Sequence, residues 1–232
     1  MLLLQTDTLH TLDTVATATQ AVADPEQQIR FIDLLIKGGW IMLPIGLLFF
    51  IGLVIFVERY LTIRKASKYD SNLMTQIKQS VLSGRLDAAL AVCRSNESPM
   101  SRMLQKGLVR IGRPIKDIEG AIENVGKLEV AKLEKNINVL GIIAGIAPML
   151  GFVGTIIGVI TIFHNVEIAG GIDIGSVSGG LYVKMVSSAS GLIIGILAYV
   201  GFHILNMMVD RLILRMESDA IEFVDLLDEP GR

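Results

Sequence analysis

Residues 139–163 read VLGIIAGIAPMLGFVGTIIGVITIF. The stretch has no charged residue and is long enough to cross a bilayer, since a spanning helix needs ~20 mainly apolar residues. Its small residues are not scattered. Gly141, Ala144, Pro148, Gly151, Thr155 and Gly158 follow one another at steps of three and four, so they share one helix face. Between helices in lipid there is no hydrophobic drive. Small residues let backbones approach and gain dispersion contacts instead.

Two further apolar runs flank this one. Leu181–Val209 carries only Lys184 and His203 as ionisable groups, and Ser188, Gly191, Gly195 and Ala198 form a second small-residue stripe. Trp40–Val57 has no charge and ends at Glu58-Arg59-Tyr60, a charged and interfacial boundary. Three GxxxG pairs occur, at Gly141–Gly145, Gly154–Gly158 and Gly191–Gly195. The fold class that follows is an all-α membrane protein with three transmembrane helices. Helix-packing positions are expected at Gly141, Pro148, Gly151, Gly154, Gly158, Gly191 and Gly195.

Composition agrees. Of 232 residues, 51% are hydrophobic and 19% charged, with 23 glycines. A net charge of -2 leaves no basic surplus for phosphates, which argues against nucleic-acid binding. The one cysteine, Cys93, has no nearby histidine and reads as a small buried side chain. No HExxH, GxSxG or paired carboxylates lie in the spans, so no enzyme, metal site or cofactor is expected.

Basic residues set the expected orientation. Residues 59–138 hold 15 of the 21 Lys and Arg, and 164–180 holds none. The positive-inside rule then puts 59–138 and the C-terminus in the cytoplasm and the N-terminus outside. The expected organisation is a periplasmic tail and interfacial helix (1–37), a first span (38–58), a cytoplasmic helical domain (59–138), a second span (139–163), a periplasmic loop (164–180), a third span (181–209) and a cytoplasmic helical tail (210–232). Within the first segment, Met1-Leu2-Leu3-Leu4-Gln5 is too short for a signal-peptide core. Ile29, Ile32, Leu35 and Ile36 give the helix of 25–37 an apolar face.

The cytoplasmic part reads as helices. Ser98-Pro99 and Pro114 open two of them. No strong breaker appears from Pro114 until Pro148, so one helix is expected to run from Pro114 to Phe163, ~75 Å at ~1.5 Å per residue. Beyond the third span, Val209, Leu212, Ile213, Met216, Ala220, Phe223 and Leu227 fall on one face, which extends that span into the cytoplasm.

Thr155, Ser187, Ser188 and Ser190 place hydroxyls at membrane depth. Each is able to bond its own helix carbonyl and act as a small packing residue. Thr155 and Ser188 lie inside the stripes, which favours a shared polar surface. Lys184 lies one turn from Ser188. Snorkelling to the interface and sensing charge in a pathway are both open to it. Neither the second nor the third span contains Asp or Glu. A proton path needs a titratable group or a water chain, so an essential carboxylate would have to come from a partner.

The stretch Ala147-Pro148-Met149-Leu150-Gly151-Phe152-Val153-Gly154-Thr155-Ile156-Ile157-Gly158 resembles the signature of the MotA/TolQ/ExbB proton-channel family. Residues Gly180 to Leu192 resemble its third-helix motif. Gly38-Gly39-Trp40 with Pro44 and Glu58-Arg59, and Gly84-Arg85-Leu86-Asp87-Ala88-Ala89 followed by Cys93, are similar to ExbB. Three spans favour ExbB or TolQ over the four-span MotA. The resemblance implies an ExbB-type subunit of an inner-membrane motor that uses the proton motive force to energise TonB-dependent outer-membrane transport. It implies a homo-pentamer around single-span ExbD-like helices that carry an intramembrane aspartate, together with a TonB-like protein. Thr155 matches the family's pore-facing threonine and Ser188 its third-helix hydroxyl. The ion pathway is thus expected at Thr155, Ser188, Ser187 and Lys184. A TolQ-type role in envelope integrity and a non-conducting scaffold are the alternatives. Sodium coupling stays open beside proton coupling. Many ExbB members carry a glutamate where this chain has Val183, which makes Lys184 the unusual residue of the motif.

Overall fold

The computed structural model describes residues 40–67, 72–171 and 173–228. The tail and interfacial helix expected over 1–37 lie outside the described residues. Among the described residues the chain is entirely helical, and three of its helical stretches are long and apolar enough to cross a membrane.

Seven helices follow in order: α1 (Met42–Ser67), α2 (Leu73–Leu82), α3 (Leu86–Ser95), α4 (Pro99–Leu108), α5 (Ile115–Glu134), α6 (Ile137–Ala169) and α7 (Ile174–Asp228). The pairing of α6 with α7 is the most extensive in the molecule, and α1 packs against both. On α1 the buried positions are Ile45, Gly52, Arg59 and Ile63, at steps of seven, seven and four along one face. Gly52 lets this face approach Ile143 and Leu140 of α6.

The apolar residues divide into two kinds. One continuous core joins Ile63, Ile77, Leu104, Ile122, Leu205 and Phe223, so the short helices and the far end of α7 are built around a common interior. Along the spans, by contrast, Phe50, Val54, Met149, Phe152, Ile160 and Ile193 are exposed. Such a large apolar surface is what a bilayer covers, and it is the reason these helices bury so little within the chain.

Two features depart from the sequence reading. First, the single helix expected from Pro114 to Phe163 is two. Helix α5 ends at Glu134, and Asn136 sits in the left-handed region (φ 64°) before α6 begins at Ile137. Asparagine tolerates this conformation better than most residues. The break strands carbonyls at the end of α5, and the buried Arg59 of α1 supplies a partner: its Nη1 donates to the Lys132 carbonyl at 3.1 Å. Guanidinium charge at a helix C-terminus is favourable for the same reason. Arg59 also pairs with Glu58, its neighbour in sequence.

Pro148 does not interrupt α6, in keeping with a helix expected to run on to Phe163. Its missing N–H frees the Ala144 carbonyl. That carbonyl faces Gly195 of α7, where a β-carbon would come within 3.1 Å of it. Second, the link expected over 164–180 is largely helical. Helix α6 continues to Ala169, Gly170 turns the chain at φ 67°, and α7 starts at Ile174. Helix α7 then runs 55 residues without a break, ~80 Å at ~1.5 Å per residue. Its last turns bury Val209, Leu212, Met216 and Phe223 against the short helices, as the amphipathic pattern requires.

Candidate functional site

The facing surfaces of α6 and α7 are lined by the two small-residue stripes. Along the antiparallel pair, Gly158 meets Lys184, Gly151 meets Ser187 and Ser188, Gly191 meets Ala147 and Gly151, and Gly195 meets Pro148 and Ala144. The approach is backbone to backbone at the centre. A β-carbon on Gly191 would lie 2.6 Å from the Ala147 carbonyl oxygen and 3.0 Å from the Gly151 Cα. One on Gly151 would lie 3.1 Å from the Ser188 Cα. No side chain fits there.

The other glycines serve different neighbours. Gly154 faces Ile41, just before α1, and Gly141 rests on the Phe202 ring. Gly145 meets nothing within 4 Å, so the Gly141–Gly145 pair is not used as a pair inside the chain.

The four expected pathway residues occupy this seam. Ser187 is 1% exposed, while Thr155, Ser188 and Lys184 are half-buried. Thr155 lies one turn from Gly151 and one from Gly158, so it shares their face. Its Oγ1 donates to the Gly151 carbonyl at 3.1 Å, and Ser190 donates likewise to Val186 at 2.9 Å. A hydroxyl that donates this way keeps its lone pairs as acceptors. Toward the α6–α7 turn the seam opens into a cleft of ≈ 390 Å³ lined by Lys184, Thr161, Asn165, Asp173 and Gly180. The Lys184 stem crosses Gly158, where a β-carbon would lie 2.1 Å from its Cγ. His203 is elsewhere: it is exposed on α7 beside Tyr199, ring centroids 4.3 Å apart.

Within 139–163 and 181–209 the seam contains no carboxylate; Asp173 lies at its open end, in the cleft beside the α6–α7 turn. Among the described residues the buried carboxylate is Glu129 on α5, 3% exposed. Arg102 of α4 reaches it at 2.5 Å and Lys132 at 2.6 Å. Burial pushes its pKa up, but these two cations outweigh burial and hold the carboxyl below its usual range. The sequence carried a signal for it. Ile118, Ile122, Gly126, Glu129 and Leu133 follow the buried stripe of α5, and a carboxylate on such a stripe must be paired. Cys93 is 2% exposed, and burial pushes its thiol up to about 11, so it stays protonated and unreactive. Among the described residues, no group of three or more His, Cys, Asp or Glu is placed to hold a metal ion.

Residues 95–218, more than half of the chain, match the model of the MotA/TolQ/ExbB proton channel family. The chain belongs to this family. The matched region runs from the end of α3 through the whole seam and most of α7. Among relatives, the chain is similar to a putative biopolymer transport protein ExbB homolog of Methanothermobacter thermautotrophicus, 25% identical over 197 residues, which cover 84% of this chain and 68% of the relative. It is similar to the putative biopolymer transport protein ExbB-like 1 of Synechocystis sp., 24% identical over 182 residues, 77% of this chain and 72% of that one. Over 71 residues it is 32% identical to the biopolymer transport protein ExbB of Helicobacter pylori, which covers 31% of this chain and 49% of the relative. Within the MotA/TolQ/ExbB family the chain is therefore most like ExbB, a membrane subunit of proton-channel type. The family is one of transport-associated subunits and not of enzymes.

Proposed function

We propose that this chain is the ExbB-type subunit of an ion-driven motor in the bacterial inner membrane that energises TonB-dependent transport across the outer membrane. The observation that carries the reading is the seam itself: hydroxyls at Thr155, Ser187 and Ser188, set among glycines, with no Asp or Glu in 139–163 or 181–209. A wall that offers hydroxyls and one lysine but no carboxylate needs a partner to bring the carboxylate. In this reading a single-span ExbD-like protein brings an aspartate, copies of this chain (a pentamer) house it, and a TonB-like protein takes the work. Residues 59–138 and 210–232 face the cytoplasm, and 1–37 and the α6–α7 turn face the periplasm. The spans are 38–58, 139–163 and 181–209. Each elementary charge that crosses releases ~2.3 kcal/mol per 100 mV, so several crossings drive one event.

The test is reconstitution in vesicles with the neighbouring single-span subunit and a pH-sensitive dye inside. Thr155→Val should cut proton flux at least tenfold while leaving assembly intact. Unchanged flux in that variant would remove Thr155 from the pathway.

A second reading is favoured by the two hydroxyl-to-carbonyl bonds at Thr155 and Ser190. If these hydroxyls only satisfy their own helix, the seam is an assembly device and the chain a non-conducting scaffold. Vesicles holding the assembled complex that pass no protons under an imposed potential would select it. A TolQ-type role in envelope integrity shares all of this chemistry. Deletion of the gene separates the two: loss of receptor-dependent uptake supports the TonB role, and detergent sensitivity with normal uptake supports the other.

A further inference from the structure

A second cleft lies where the spans meet the short helices. It measures ≈ 520 Å³ and is walled by three helices: Thr62 and Lys65 of α1, Arg102 of α4 with Ser98 just before that helix, and Glu129 and Lys132 of α5. Three cations converge on it, Lys65, Arg102 and Lys132, each from a different helix. Two carboxylates face them. Glu129 is fully engaged by Arg102 and Lys132. Glu97 is 85% exposed and sits 3.7 Å from Lys65, which is 83% exposed. An ion pair that open contributes little and yields to a better anion. The lining therefore keeps a net positive charge, and both lysines have donors to spare, since an ammonium carries three.

The level of the cleft matters as much as its charge. The apolar run of α1 ends at Val57. Arg59, two residues on and ~3 Å past the apolar edge along α1, bonds the Lys132 carbonyl through its side chain, so the end of α5 lies near that edge. Thr62 and Lys65 lie ~8–12 Å past it along the helix. The polar headgroup layer extends ~5–7 Å beyond the hydrocarbon on each side. The inner end of the cleft is thus at headgroup depth, and the stem of Lys65, farther out on α1, leans back toward it as helix side chains tilt to the N-terminus.

We propose that this cleft is a phosphate site, filled from the bilayer by the headgroup of an anionic phospholipid. The phosphate is held between Lys65 and Lys132, with Arg102 behind them, and replaces the loose Glu97 contact. Because the cations come from α1, α4 and α5, an occupied site ties the first span to the short helices. The site does not involve the seam and stands whether or not the seam conducts.

The full chain, purified in detergent with any co-purifying subunit, is titrated with phosphatidylglycerol and with phosphatidylcholine, and bound lipid is read by native mass spectrometry. Phosphatidylglycerol is expected to bind more tightly. One cation near the membrane surface changes affinity about fivefold, so the Lys65→Gln/Lys132→Gln double variant should bind about twenty-five-fold more weakly. The Lys106→Gln/Lys116→Gln double variant removes the same charge away from the cleft and should bind as the parent does. If the first double variant fails to fold, Lys65→Gln alone carries the test with a fivefold loss. Equal binding of the two lipids, or undiminished phosphatidylglycerol binding in the Lys65 variants, overturns the proposal. Displacement by millimolar inorganic phosphate to the same extent as by phosphatidylglycerol overturns the lipid as source.

Discussion

The stem of Lys184 lies across Gly158, so close that a β-carbon on Gly158 would sit 2.1 Å from Lys184 Cγ and 2.4 Å from its Cδ. Glycine at 158 is thus what allows a long cation to occupy the seam between α6 and α7. The nearest atoms all belong to the flexible lysine side chain, so Gly158→Ala should be accommodated by swinging Lys184 out. The expected cost is ~1 kcal/mol of lost packing, and it should nearly vanish in a Lys184→Ala background. A double-mutant cycle on thermal unfolding in detergent checks this. Additivity within ~0.3 kcal/mol would show that the two residues do not share the site.

The central glycines should behave differently, because their neighbours are backbone. Gly191→Ala drives a methyl to 2.6 Å from the Ala147 carbonyl oxygen, and neither helix can yield locally. Overpacking of this kind costs ~1–3 kcal/mol. Gly145→Ala meets nothing within 4 Å and gains helix propensity, so the isolated chain should be unchanged or slightly more stable. The melting temperatures of the two variants should therefore move in opposite directions. If Gly145→Ala harms only the assembled complex, Gly145 lies where another subunit packs.

The three spans were legible because uninterrupted apolar runs have no other stable place. The seam was legible because steps of three and four put Gly151, Gly158, Gly191 and Gly195 on single faces. What sequence could not show was the break at Asn136. One asparagine in a helical pattern is no breaker by itself; the break is stabilised by Arg59, 77 positions away, which takes the Lys132 carbonyl. The extent of the 164–180 link was overestimated for a related reason. Its glycines read as a loop, yet Gly175, Gly179 and Gly180 are helical in α7, where Gly180 packs on Ile162. The Glu129 cluster was not legible there because Arg102 and Lys132 entered only as part of the basic surplus of 59–138, and Glu129 shows its role only once it is placed on the buried stripe of α5.

Glu129 should make stability depend on acid. Its folded pKa lies below the unfolded value of ~4.3, so the unfolded chain binds the proton more readily. Its contribution is fully present above that value and is lost as pH falls through the lower, folded one. Unfolding midpoints should be flat from pH 6 to 8 as far as this group is concerned, then fall below about pH 4. Glu129→Gln should lower stability at pH 7 by ~1–3 kcal/mol and flatten the acid limb. The lower part of that range is expected, because Arg102 and Lys132 are partly exposed and recover water when the carboxylate is gone. An acid limb of unchanged steepness in the variant would assign the effect to other carboxylates.

Asn136 gives the last test, and it bears on how the membrane part joins the short helices. At φ 64° a β-branched side chain is strained, whereas glycine is not. Asn136→Gly should therefore be neutral within ~0.5 kcal/mol, and Asn136→Val should cost ~1–2 kcal/mol or straighten the junction into one helix. The two results are separable. Straightening would restore an intrahelical donor to the Lys132 carbonyl and release Arg59, which now bonds it from α1. A disulfide-free pair of spin labels at exposed Leu61 and Leu128 would report the change in distance between α1 and α5. If Asn136→Val leaves both the melting temperature and that distance unaltered, the left-handed residue is not what sets the junction, and the Arg59–Lys132 bond must hold it alone.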